Sequence, residues 1–311
     1  MIALENVTRK YGRTVALKDV SLEIGSGRMT GLLGRNGAGK TTALNLMTGY
    51  LPPDAGRVLV DGEDMQKHPR ECKRKIGYLP EKPPLYDEMT VTDYLKFVCD
   101  LREVLPRGRE KHVAEILEVC ALGEVRGRVI GHLSKGYRQR VGIAQALCGN
   151  PEILILDEPT VGLDPLQVVE IRSLIRTLGQ EHTIVFSSHI LSEVQQLCDS
   201  VIILHEGRLI RYFEMDQPDR AGQTRLRLRA RGREKELLPA IRSIGCVRQA
   251  EVLPAGEEGI VEIRIAGAEK DDRGRLTDQL FHLLAALDAP IQELSPEKDD
   301  LETVFLEATG G

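Results

Sequence analysis

The sequence contains no tryptophan, and its 311 residues include only five phenylalanines and seven tyrosines. Long apolar stretches are missing too. The longest unbroken run of apolar residues is Leu283–Leu287. A bilayer-spanning helix needs about 20 mostly apolar residues, so no span is expected. The opening residues MIALENVTRKYG lack the apolar segment of a secretory signal, and none is expected. Cysteines stand at 72, 99, 120, 148, 198 and 246. No two form a CxxC pair and no histidine sits at zinc-finger spacing, so free thiols in a reducing cytosol are expected. With 41% hydrophobic and 29% charged residues, the chain is neither disordered nor collagen-like. Its length suggests about two domains.

Charge and pattern both divide near residue 214. Residues 214–311 carry 14 basic and 20 acidic side chains, which leaves 28 and 27 for residues 1–213 of the 42 and 47 in total. The first part alternates strands and helices. Strands are expected at Ile2–Val7, Ser21–Ile24, Met29–Leu33 and Val58–Val60, the last ending in an Asp61-Gly62 turn. Short continuous apolar runs at Ile153–Leu156, Thr183–Phe186 and Val201–Leu204 read as strands buried on both faces. Helices are expected at Lys40–Met47, within 90–120 with Thr90 or Thr92 as cap, and at Gln167–Leu178 and Leu191–Cys198. This is an α/β fold with a mixed, largely parallel sheet. A helical subdomain is expected at about 85–150.

The second part reads as a small α+β domain of order β-α-β-β-α-β, a ferredoxin-like pattern. Its strands are expected at Thr224–Arg231, Val247–Val252, Gly259–Ile265 and Ile291–Leu294. Helices fall at Glu234–Ser243 and Arg273–Leu287. A last helix carries Ser295 as N-cap, Pro296 at the first helical position and a stripe of Leu301, Val304, Phe305 and Ala308. Arg220, Arg225, Arg227, Arg229, Arg231, Arg233 and Lys235 form a basic segment without interleaved aromatics. It is expected to be the solvated face of a strand paired with acids of its own domain, and no nucleic-acid partner is expected.

Residues 34–41 read GRNGAGKT. They fit GxxxxGK[ST] and lie between a strand and a helix, which is the setting a P-loop requires. Gly34, Asn36, Gly37, Ala38 and Gly39 let backbone N–H groups turn toward phosphate oxygens, and the helix N-terminus adds positive potential. Lys40 neutralises β- and γ-phosphates, the Thr41 hydroxyl suits Mg²⁺, and Thr42 faces the α-phosphate. A second element, Ile153–Leu156 followed by Asp157 and Glu158, ends a buried strand in two carboxylates. Asp157 suits a Mg²⁺-bound water. Glu158 suits the orientation and deprotonation of an attacking water.

The third element is LSKGYRQR at 133–140, which resembles the signature of ATP-binding cassette ATPases. Gly162-Leu163-Asp164 is similar to the family's D-loop, His189 in SSHILSEV to its switch histidine, and Tyr11 to the aromatic that stacks on adenine. The resemblance covers about residues 1–213. It implies two cassettes, as a homodimer or another pair, that sandwich two ATP molecules. Ser134 and Gly136 would then face the γ-phosphate of the partner's ATP, and Asp164 would reach across the interface. His189 would hold the γ-phosphate and the attacking water. Three positions depart from the family pattern. Lys135 stands for Gly, Tyr137 for Gln, and Glu81 for the Gln that touches Mg²⁺. A carboxylate at 81 still ligates Mg²⁺ but cannot donate a hydrogen bond when ionised.

The stretch at 78–95, SSHILSEVQQLCD and the C-terminal tail resemble type-2 exporter cassettes, including those of gliding motility and copper-enzyme assembly. The resemblance implies an ATP-hydrolysing subunit that energises a separate integral membrane permease. Such a subunit is cytoplasmic and peripheral on the inner face of the membrane. The alternative is a soluble cassette ATPase acting on ribosomes or DNA. Those relatives usually carry two cassettes or a coiled-coil insertion, and neither pattern is present here.

Overall fold

The computed structural model describes residues 1–215, 225–253, 259–267, 273–296, 301 and 305. The chain forms two compact units, Met1–Asp216 together with Phe305–Gly311, and Gln217–Val304. The division thus falls close to the change of pattern near 214, while the last residues group with the first unit. A chain ending at Asp216, which keeps the first unit except Phe305–Gly311, is expected to keep a cooperative thermal transition in calorimetry. A broad, non-cooperative profile would contradict the division.

In the first unit, β1 (Ile2–Tyr11), β2 (Thr14–Ile24), β4 (Ala55–Val60) and β5 (Glu63–Asp64) form an antiparallel sheet of order β2-β1-β4-β5. The first two strands run longer than expected because bulges break their alternation. Asn6 and Asp19 both have φ 51, and Asn6 Nδ2 donates to Asp19 Oδ1 at 3.1 Å. A bulge shifts which side chains face inward, so period-2 reading stops at Val7. The Asp61-Gly62 turn, with φ 49 and 82, joins β4 to β5 as expected.

The second sheet has order β10-β9-β3-β8-β7-β6. Its strands are β3 (Met29–Leu33), β6 (Ile76–Leu79), β7 (Ile153–Leu156), β8 (Thr183–Ser188), β9 (Ser200–His205) and β10 (Arg208–Glu214). All its pairings are parallel except β10 with β9. Every residue of β3, β7 and β8 is buried, which explains why these strands read as continuous apolar runs. Parallel pairing carries the chain back by helical crossovers. These include α1 (Lys40–Met47), α6 (Pro165–Leu178) and α7 (Leu191–Leu197). The register sets Leu33 beside Ser188 and Leu156 beside Phe186. The carboxyl ends of β3, β7 and β8 therefore open side by side, where open α/β sheets bind ligands.

Between β6 and β7 the chain forms α3 (Val91–Leu101), α4 (Pro106–Val119) and α5 (Lys135–Leu147). The Thr90 hydroxyl caps α3 by accepting from Asp93 N at 3.2 Å. All six cysteines are buried free thiols.

The second unit contains β11 (Arg225–Arg231), α8 (Glu234–Arg242), β12 (Val247–Leu253), β13 (Ile260–Gly267), α9 (Arg273–Ala286) and β14 (Ile291–Pro296), with sheet order β12-β13-β11-β14. This is the ferredoxin-like order, all antiparallel. Its core takes Leu226, Leu228 and Ala230 from β11 and Leu237 and Leu280 from the helices. The alternating arginines face away from that core. Arg227 pairs with Glu262, and Arg229 lies within 3.9 Å of Glu262 and 4.0 Å of Glu293. Arg227 and Arg229 of the basic stripe are thus matched by acids of their own sheet.

One expectation fails here. Ser295 and Pro296 do not start a helix; they end β14, paired with Arg227 and Leu226. Beta14 is an edge strand, and an edge accepts a proline that cannot donate to the ladder. Val304 and Ala308 of the expected stripe lie outside the described residues.

Candidate functional site

Loop 34–39 leaves β3 and enters α1, whose N-cap is Gly39 at φ 103. A Cβ on Gly39 would lie 2.7 Å from the Ala16 carbonyl oxygen and 2.9 Å from Leu17 Cδ2. One on Gly34 would lie 2.6 Å from the Leu204 carbonyl oxygen. Glycine is required at both places by close backbone approach, and at Gly39 by φ as well. Gly37 also has positive φ, 84, while Ala38 is buried against the core. Asn36 is exposed, Thr41 exposed and Thr42 half-buried. Gly39→Ala is expected to weaken ATP binding roughly 10-fold or more. Strained φ alone costs about 1–3 kcal/mol, and a fluorescence titration with ATP reads it directly.

Lys40 is buried with its stem in the fold. Its Nζ donates to the Gly34 carbonyl at 2.8 Å and reaches Glu158 Oε1 at 3.2 Å. Glu158 Oε2 in turn lies 2.9 Å from His189 Nδ1. Lys40 at the start of α1, Glu158 beyond β7 and His189 beyond β8 thus form a chain, Lys40–Glu158–His189. Glu158 lies just beyond β7 at φ 46. A non-glycine residue rarely adopts that conformation, and such outliers gather at functional sites. Strand alternation alone, which separates Asp157 and Glu158 to opposite faces, does not describe this pair. The strained turn after β7 does.

Asp157 is buried in the sheet end. Ser187 Oγ donates to its Oδ1 at 2.6 Å and accepts from Glu158 N at 2.9 Å. Burial pushes the Asp157 carboxyl above its usual range. The hydroxyls of Ser187 and Thr41 oppose that shift, and the charges of Glu158 and Glu81 add to it. Its Oδ2 is buried with no hydrogen-bond partner. A buried anionic oxygen without a partner is costly, and a divalent cation would satisfy it. Among the described residues no three His, Cys, Asp or Glu side chains cluster as metal ligands. Asp157 and Thr41 therefore fit an ion completed by phosphate oxygens and water, the arrangement that suits Mg²⁺. Glu81 is exposed beyond β6, close enough for its charge to act on Asp157.

A second cluster lies at the start of α5. The Ser134 hydroxyl caps that helix, accepting from Tyr137 N at 3.4 Å. Gly136 is buried, and a Cβ there would lie 2.8 Å from the Gln167 side chain. Gln139 Nε2 donates to the Pro159 carbonyl at 2.8 Å, which ties α5 to the turn after Glu158. Lys135 lies over Gly162, whose φ is 66, with its ammonium in the space a Cβ would take. Asp164 caps α6 by accepting from Gln167 N at 2.9 Å. Tyr11 ends β1, 46% exposed, with the Arg9 guanidinium 5.3 Å from its ring centre.

The model of the family described as ABC transporter matches residues 17–161. The chain is 31% identical to the bacitracin transport ATP-binding protein BcrA of Bacillus licheniformis, over 100% of this chain and 98% of that one. The chain belongs to the ABC transporter family. It is an ATP-binding subunit and an ATP hydrolase. This ABC cassette is also 33% identical to the linearmycin resistance ATP-binding protein LnrL of Bacillus subtilis (strain 168), again over 100% and 98% of the two chains. Among solved structures, a dimeric bacterial ABC transporter cassette superposes with TM-score 0.64 at 27% identity, over 70% of this chain and 100% of that one. The same cassette in a post-hydrolysis dimer bound to ADP and Pi gives 0.63 at 27% identity, over the same shares.

Motif reading of this cassette missed the polar residues behind its front row. Ser187 holds Asp157 and Glu158 together, and Glu193, Thr160 and Ser188 share further buried hydrogen bonds. A signal was present. Ser187 and Ser188 are two polar residues closing an apolar strand, and a buried hydroxyl at a strand end needs a partner.

Proposed function

We propose that this cassette pairs with a second copy or another cassette, binds Mg-ATP between the two, and drives an exporter whose pathway is built by a separate membrane permease. What supports this most is the Lys40–Glu158–His189 chain beside the partnerless oxygen of Asp157. It joins an ammonium suited to phosphate, a carboxylate and an imidazole beyond the carboxyl ends of neighbouring strands. The relatives similar over the full chain are named for bacitracin transport and linearmycin resistance, which favours export over action on ribosomes or DNA.

Backbone N–H groups of loop 34–39 and the N-terminus of α1 cradle the phosphates. Lys40 neutralises the γ-phosphate, which competes with Glu158 for its ammonium. Thr42 faces the α-phosphate, and Tyr11 stacks on the adenine. Glu158, released from Lys40, accepts the proton of the attacking water. His189 keeps its Nδ1 toward Glu158 and turns Nε2 toward the γ-phosphate. Thr41, Asp157 and Glu81 would hold Mg²⁺, which would supply neutralising charge to the phosphates. Ser134 and Gly136 close over the ATP of the opposite cassette, and Asp164 reaches across the pair. Hydrolysis removes the anion that holds the pair shut.

The proposed permease-docking surface runs from about Glu81 to Tyr94, and the proposed location is the inner face of the membrane. Tyr86 there is 52% exposed, edge-on to Tyr94 and Phe97 at 6.1 and 5.5 Å. Aromatics with one apolar body exposed are common interface anchors. The cargo class proposed is an antimicrobial of the kind named in those relatives. Deleting the gene in the native host and measuring growth inhibition by bacitracin, linearmycin and a lantibiotic tests it. Increased sensitivity to one of them supports the class, and unchanged sensitivity to all three overturns it.

A further inference from the structure

Glu193 is a buried carboxylate that none of these roles uses. It sits in the first turn of α7, 2% exposed. Its Oε2 accepts from Thr160 Oγ1 at 2.9 Å and from Ser188 Oγ at 2.8 Å. Its Oε1 accepts from Arg172 Nη2 at 3.2 Å, and Arg172 Nη1 donates to Gln196 Oε1 at 3.0 Å. Ser188 Oγ is fixed from its other side by accepting from Ile190 N at 3.0 Å.

The three donors to Glu193 come from three functional segments. Thr160 stands two residues after Glu158. Ser188 immediately precedes His189. Arg172 lies on α6, the helix capped by Asp164. Burying an ionised carboxylate carries a penalty of several kcal/mol, and packing alone is met more cheaply by an apolar side chain. Both carboxylate oxygens are satisfied, although Arg172 Nε is buried without a hydrogen-bond partner.

We propose that Glu193 is a positioning residue that clamps the turn carrying Glu158 to the loop carrying His189. The clamp fixes the 2.9 Å approach of Glu158 Oε2 to His189 Nδ1. It also holds the turn in which Glu158 keeps φ 46, a conformation that persists only when its surroundings over-determine it. Its link to α6 through Arg172 joins the same clamp to the helix that presents Asp164. The inference rests on the roles proposed above for Glu158 and His189.

The test uses the full chain with Mg-ATP. Thr160→Val and Ser188→Ala each delete one donor with little change of volume, and Glu193→Gln removes the charge at constant shape. In the two hydroxyl variants kcat is expected to fall roughly 10-fold or more, because small misplacements of reacting groups cost up to about 10²-fold. KM for ATP is expected to stay unchanged. The double variant Thr160→Val/Ser188→Ala is expected to lose less than the product of the single losses, since both donors act through one carboxylate. Wild-type kcat in both hydroxyl variants overturns the clamp, and so does a loss that appears in KM alone. Glu158→Gln runs in parallel. If it abolishes turnover while the hydroxyl variants stay at wild-type kcat, the clamp fails and the site stands. If Glu158→Gln keeps turnover, the site and the clamp fail together.

Discussion

Glu158→Gln is expected to stop steady-state ATP turnover and to accumulate an ATP-bound pair of cassettes. The carboxylate sits between two polar partners, Lys40 Nζ at 3.2 Å and His189 Nδ1 at 2.9 Å. An amide of the same shape still accepts a hydrogen bond from Lys40. It cannot take a proton from water, which removes the general base. Such groups contribute about 10²–10⁴-fold to rate. Binding is expected to be spared, because the proposed phosphate contacts, loop 34–39 and Lys40, are left intact. A ligand shared across an interface stabilises the pair by mass action, and without hydrolysis that stabilisation persists. Single-turnover assays read the first effect and gel filtration in Mg-ATP reads the second. A monomer at saturating Mg-ATP would sink the sandwich arrangement.

The second large effect is expected from Lys40→Ala, a fall in turnover of about 10²–10³-fold or more. Preorganised charges aimed at developing charge are worth that much in a shielded site. Lys40 is 6% exposed and donates to the Gly34 carbonyl at 2.8 Å, so it acts from a fixed position. Its loss has a second consequence. The Glu158 side chain is only 11% exposed, and without Lys40 its charge is left beside His189 and Asp157. ATP affinity is therefore expected to drop as well, because the γ-phosphate meets carboxylates without the compensating ammonium. Calorimetric titration with ATP, alongside a hydrolysis assay, separates the two losses. Unchanged turnover would remove Lys40 from the site.

Reading these residues from sequence worked where local chemistry is strong. GRNGAGKT does lie in a loop between a strand and a helix, and close backbone approach at Gly34 and Gly39 leaves room only for glycine. The buried strands β3, β7 and β8 were legible because parallel strands covered on both faces leave unbroken apolar runs. The β-α-β-β-α-β order of the second unit was legible too, through alternation along β11 and β13. Reading failed where tertiary contacts override local pattern. Bulges at Asn6 and Asp19 hid half of β1 and β2. An edge position in the sheet absorbed Ser295 and Pro296, whose local signature is that of a helix start.

Long apolar runs and aromatics were what this chain lacked, and their absence was readable without any structure. On the proposed roles the site uses a single aromatic, Tyr11, because backbone amides and one ammonium suit phosphates while the carboxylates suit Mg²⁺ and water. Sequence alone also determined which residues carry charge to the ends of which strands. It did not determine that Glu158 turns back at φ 46 to stand between Lys40 and His189. It did not determine that Glu193 gathers Thr160, Ser188 and Arg172 around one buried carboxylate. Most of these contacts span twenty or more residues, and no local propensity acts at that range. Parallel register brought their strand ends together, and the cost of leaving a buried charge unpaired fixed how they meet.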